Sequence, residues 1–129
     1  MADHFDHDKL EVYKLILEFV ALAEHYARRI RPTHPDLARQ LTRAADSLGL
    51  NTCEGAGEYS RREKAHFYRI ARRSGTESAG ALDLACARGI VTREDVAAGR
   101  TLLIRIVSML IKMAKGFEKG LDGQDTHAA

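Results

Sequence analysis

Residues 60–88 read SRREKAHFYRIARRSGTESAGALDLACAR, and this stretch decides the fold. It opens on Ser60 with Glu63 three positions on. In such a pair the hydroxyl satisfies an orphan N–H of the first helical turn, and the acid favours the positive end of the helix dipole. Phe67, Ile70, Ala71, Ser74, Ser78, Ala81, Leu82 and Ala85 follow at steps of one, three and four, the spacing of one helix face. Gly89 supplies a stop. The spacing predicts one long helix over 60–88.

The same start signal recurs outward from this stretch. Asp8 with Glu11, Thr33 with Asp36, and Thr92 with Asp95 each precede a run of helical period. Three more helices are expected, over 8–30, 35–56 and 92–118. The first places Tyr13, Ile16, Leu17, Val20, Ala23, Ala27 and Ile30 on one face, and ends where Arg31 precedes Pro32. Pro35 then falls in the first turn of the second helix, where its missing N–H costs nothing. Leu37, Leu41, Ala44, Ala45, Leu48 and Thr52 form that helix's face, with Gly55 and Gly57 marking its end. The fourth carries Val96, Leu103, Ile106, Val107, Leu110, Ile111, Ala114 and Phe117. Residues 120–129 are small and polar and are expected to fray. Short links make sequence neighbours antiparallel, so the expected fold is an all-α, up-down-up-down four-helix bundle forming one domain over 1–129.

Composition agrees. The chain has 129 residues, 45% hydrophobic and 29% charged, enough apolar material for a packed core. Aromatics are only 6%, which favours helix over strand. Cys53 and Cys86 have no ligand-type spacing and read as reduced thiols, not a disulfide framework. The opening residues MADHFDHDKL are acidic and lack an apolar stretch, so no signal peptide is expected. No apolar run is long enough for a membrane span, and the expected location is the cytoplasm. Leu102, Leu103, Ile104, Ile106, Val107, Met109, Leu110, Ile111 and Met113 surround most of the fourth helix. A helix apolar nearly all round is buried on more than one side, which predicts a homo-oligomer through helices 4 and 1.

Nothing in the sequence argues for catalysis. Glu63 and His66 make a single ExxH, where a di-iron bundle needs two and further carboxylates. His4 and His7 lie before the first helix start. No HExxH, phosphate-binding loop, GxGxxG or GxSxG occurs, and Ser47, Ser74 and Ser78 lack visible His–Asp support. Catalytic residues, metal and cofactor are all expected to be absent.

Charge is unevenly placed although its net value is only +2. Between Arg61 and Arg73, six cations oppose only Glu63, while Asp3, Asp6, Asp8 and Glu11 oppose only Lys9 near the start. Arg62, Arg69, Arg72 and Arg73 group along one side of helix 3, and Arg39 and Arg43 belong to a second cluster around the helix 1–2 turn. Arginine's planar fork suits phosphate oxygens, so these six are the candidate nucleic-acid-binding residues. Tyr59, Phe67 and Tyr68 are interleaved and could stack a base, though Phe67 falls on the core stripe. The alternative is a solvated surface on a purely structural scaffold. At the helix 2–3 corner, Asn51 with Glu54 and Ser74 with Glu77 are polar pairs at i, i+3. They are expected to form one buried network that sets helix register, with a small-ligand pocket as the alternative.

The stretches Arg43-Ala44-Ala45-Asp46-Ser47-Leu48, Asn51-Thr52-Cys53-Glu54-Gly55-Ala56-Gly57 and Phe67-Tyr68-Arg69-Ile70-Ala71 with Ser74 and Glu77 resemble the signature of the 23S ribosomal RNA intervening-sequence protein family. That family includes the accessory variability determinant of diversity-generating retroelements. The resemblance covers about residues 8–118. It implies a four-helix bundle assembling as a homopentameric ring. For the retroelement members it implies binding of RNA or DNA and of a reverse transcriptase through a basic surface. Thr52-Cys53, Glu58 and Arg73 depart from the family pattern, the last by adding a positive charge.

Overall fold

The computed structural model describes residues 3–121. A short 3-10 turn, Asp6–Lys9, precedes α1 (Glu11–Ile30), α2 (Pro35–Gly57), α3 (Arg61–Ala87) and α4 (Arg93–Glu118), and no strand occurs among the described residues. Each helix packs on its sequence neighbour, and α1 also packs on α4. The expected tail lies mostly outside the described residues.

Two of the four start signals act as caps. Thr92 and Asp95 form a complete reciprocal box: Asp95 N–H donates to Thr92 Oγ1 at 3.1 Å, and Thr92 N–H donates to Asp95 Oδ2 at 2.8 Å. Ser60 Oγ accepts from Glu63 N–H at 3.0 Å. The other two do not. Pro35 occupies the first position of α2, so the cap position falls on His34, one residue past Thr33. Asp8 turns back to accept from Phe5 N–H at 2.8 Å, which caps the 3-10 turn and delays α1 to Glu11.

The end of α3 is as expected. Gly89 adopts φ 73°, its N–H donates to Cys86 O at 3.0 Å, and Ile90 N–H donates to Ala85 O at 3.0 Å. This paired closure satisfies two terminal carbonyls and requires a residue without Cβ strain at position 89. Gly55 is different. It lies inside α2 rather than ending it, and a Cβ there would come within 2.7 Å of the Tyr68 ring. Its lack of a side chain lets that ring approach the helix closely.

The core unites all four helices. In α1 it uses Val12, Leu15, Ile16, Phe19, Ala23, Tyr26, Ala27 and Ile30. This stripe is rotated from the expected one and carries the larger Phe19 and Tyr26, while Leu17 is left exposed. In α3 the buried aromatic is Tyr68, not Phe67, with Ala65, Ala71, Gly75, Ser78, Leu82 and Ala85 continuing the face. Tyr26 sits against α4 at Gly99, whose N–H lies 3.1 Å from its hydroxyl. The bundle covers most of α4: Leu102, Met109 and Met113 pack partly on the core, and Ile104 alone of its large apolar residues is mostly exposed, at 64%.

Contacts between helix ends join the bundle's corners. The end of α1 meets the start of α4 through Arg29 and Asp95, 3.1 Å apart. The end of α3 meets the start of α4 where Asp83 pairs with Arg100 and Arg93. At the opposite end, Lys64 of α3 donates to the carbonyls of Gly55 and Ala56 at 3.2 and 2.9 Å, capping α2. Arg61 donates to Gly116 O of α4 at 2.6 Å and lies over the Phe117 ring.

Candidate nucleic-acid interface

The start of α3 and the end of α4 enclose a cleft of about 850 Å³. Arg62, Arg69 and Arg73 enter it from α3, with His66 and Ala65 beside them, and Lys115 and Lys119 enter from α4 and its cap. Helical geometry produces the alignment. Positions 62, 66, 69 and 73 recur at steps of four, three and four on one face, and 115 and 119 are four apart on the other helix. The lysines also sit where cations are favoured, beside the carbonyl end of α4. Among the described residues, five cationic side chains and one carboxylate, Glu118, line the cleft.

Arg69 and Glu118 form a two-pronged ion pair, Nη2 to Oε1 at 2.5 Å and Nε to Oε2 at 3.1 Å. This pairing raises the already high pKa of the guanidinium and holds the Glu118 carboxyl below the usual carboxylate range. The hydrogen bond from Arg69 is the main cause for Glu118; partial burial opposes it, and the charges of Arg69 and Lys115 reinforce it.

The structure thus assembles Arg62, Arg69 and Arg73 from the expected set and separates the rest. Arg72 is half-buried and does not line the cleft. Arg39 is exposed and paired with Asp36 at 2.8 Å. Arg43 lies in another groove, between α2 and α3, with Gln40, Ser47, Ser74, Glu77 and Asp83. Tyr68 is 2% exposed, inside the core and unable to stack a base, while Tyr59 is fully exposed beside the α3 start. Lys115, Lys119 and Glu118 escaped the sequence reading, which weighed each helix alone. A short α3–α4 link, which brings the end of α4 back to the start of α3, was the signal that could have found them.

The corner network is corrected. Asn51 and Ser74 do belong to one chain of hydrogen bonds, but the link is Ser47. Ser74 Oγ donates to Ser47 Oγ at 2.7 Å, and Asn51 Nδ2 lies 2.9 Å from Ser47 O and 3.0 Å from Ser47 Oγ. Glu54 and Glu77 are exposed and stand outside it. A carboxylate is too costly to desolvate for a neutral hydroxyl pair to hold it inside. Cys53 and Cys86 are free and half-buried; burial, first of all, raises the Cys53 thiol pKa.

Four helices around one core, with a cation-lined cleft at one end, define a small helical bundle with a surface suited to anions. Residues 8–112 match the family described as 23S rRNA-intervening sequence protein, and the chain belongs to that family. No curated protein matches the chain. Among the described residues, no helix is long and apolar enough to cross a membrane.

Proposed function

We propose that this protein is a non-enzymatic, cytoplasmic, up-down-up-down bundle that forms a homo-oligomer and binds RNA or DNA through the α3–α4 cleft. The observation that carries this reading is the convergence of Arg62, Arg69, Arg73, Lys115 and Lys119 in one cleft. Phosphates along a backbone are met by such a row of forks and point charges without reading bases. A reverse transcriptase holding its nucleic acid, a partner that the family resemblance implies, would present the same phosphates.

Assembly is supported by the exposed Ile104 of α4 and Leu17 of α1. Beside Ile104, an apolar notch of about 270 Å³ lies between α3 and α4, lined by Gly75, Ala79, Leu103 and Val107. A ring of five, as in the family resemblance, would repeat the basic cleft around the assembly.

A gel-shift titration tests the binding. Single-stranded and duplex RNA and DNA should all bind at low salt, with a log–log salt slope of about −3 to −4 per cleft engaged. Arg73→Glu with Lys119→Glu should abolish the shift while the helical spectrum stays intact. Binding that survives the double reversal would sink the cleft and favour a scaffold.

A further inference from the structure

We infer that Glu118 is a built-in competitor for phosphate, holding the seat on Arg69 that a nucleic-acid backbone must take. The inference rests on the cleft reading above and adds a selectivity device to it. Glu118 presents its two oxygens to the Nε and Nη2 edge of Arg69, the edge that meets a phosphate in two-pronged recognition. Among the described residues it is the single carboxylate in a cleft of five cations.

The placement of Glu118 is electrostatically odd within its own helix. It is the last residue of α4, where the exposed carbonyls disfavour an anion. Lys115 and Lys119 suit that end, and Glu118 does not. Its compensation comes from Arg69 across the cleft. The helix ends immediately beyond it: Lys119 is extended at φ −60°, ψ 121°, and Gly120 adopts φ 89°. Glu118 is also 41% exposed on its side chain, so it can pass from Arg69 to water without crossing packed atoms.

Displacement sets a threshold. A lone anion gains Arg69 only by losing what Glu118 already supplies, so the exchange is nearly balanced. A phosphodiester chain that reaches Arg73, Lys115 and Lys119 in the same event gains those contacts in addition. Glu118 therefore lowers the affinity of both by the same factor, which takes single-site capture of free phosphate below a useful level while a polyanion with further contacts stays bound.

The test uses the full chain as wild type, Glu118→Gln and Glu18→Gln. Glu18 is exposed on α1, away from the cleft, and its substitution makes the same change of net charge. A fluorescent single-stranded RNA oligonucleotide is titrated at moderate salt, with inorganic phosphate as competitor. Glu118→Gln should bind the oligonucleotide about tenfold more tightly than Glu18→Gln, the factor that corresponds to ~1.4 kcal/mol. Millimolar phosphate should weaken oligonucleotide binding by a larger factor in Glu118→Gln than in the wild type. Circular dichroism checks that both variants stay helical. Equal affinity of the two variants overturns the competitor role and leaves the cleft reading standing. No binding by any of the three at low salt overturns the cleft reading, and the competitor with it.

Discussion

Single atoms decide several helix contacts. Gly99 and Gly55 each face a buried tyrosine ring, and a Cβ at either would stand 2.7 Å from ring carbon. The rings of Tyr26 and Tyr68 are 2% exposed, so they cannot swing away. Gly80 is also helical, yet nothing lies within 4 Å of the site its Cβ would take. The same substitution should then have opposite signs. Gly99→Ala and Gly55→Ala should lower stability by about 1–2 kcal/mol, because overpacking outweighs the ~1 kcal/mol helix-propensity gain. Gly80→Ala should raise it by about 0.5–1 kcal/mol. Denaturant midpoints with unchanged slopes measure both, and a stabilised Gly99→Ala would sink the tyrosine-notch explanation. None of this was legible in the sequence, where Gly55 read as a helix end. A glycine that stops a helix and one that admits a distant ring look alike until the ring's position is known. Phe67 and Tyr68 pose the same difficulty: they are adjacent, and period alone lets either turn inward.

At the scale of elements, the caps rank themselves. Thr92→Ala should cost about 0.5–2 kcal/mol, since it removes the acceptor of the Asp95 N–H. Thr33→Ala should change stability by less than about 0.5 kcal/mol, because Pro35 has moved the α2 cap to His34. Comparable losses in thermal melts would mean that Thr33 caps α2 after all. Asp95 and Glu118 both titrate below their ordinary values of 3.8 and 4.5. The Thr92 backbone N–H is the first cause for Asp95, followed by the Arg29 side chain. A depressed carboxylate adds stability that is complete above its unfolded pKa and is lost as pH falls through the folded one. The difference in melting temperature between wild type and Glu118→Gln should therefore be constant well above the ordinary value of 4.5 and shrink as pH falls below it. Four helices and most of their bounds could be read from period and caps, because those signals are local. The start of α1 could not, since Asp8 accepts from Phe5 N–H upstream and α1 begins at Glu11 without a side-chain cap.

For the whole molecule, the exposed Ile104 with its apolar notch and the basic cleft both lie between α3 and α4. Ile104→Asp should reduce the mass measured by light scattering while leaving the monomer's melting temperature within about 1 °C of wild type, because the side chain makes little use of the core. A wild-type protein already monomeric at micromolar concentration would remove assembly from the account. The cleft depends on two helix ends far apart in sequence, which is why its arginines were visible beforehand and its lysines were not. The acidic turn at Asp6–Lys9 packs on α1 and α2, and the basic cleft lies between α3 and α4, on the other flank. The small net charge thus hides a transverse electric dipole. A polyanion diffusing toward this molecule feels a torque before it touches anything. It is turned away from the α1–α2 flank and drawn to the other, and added salt should erase that steering by slowing arrival more than by hastening departure.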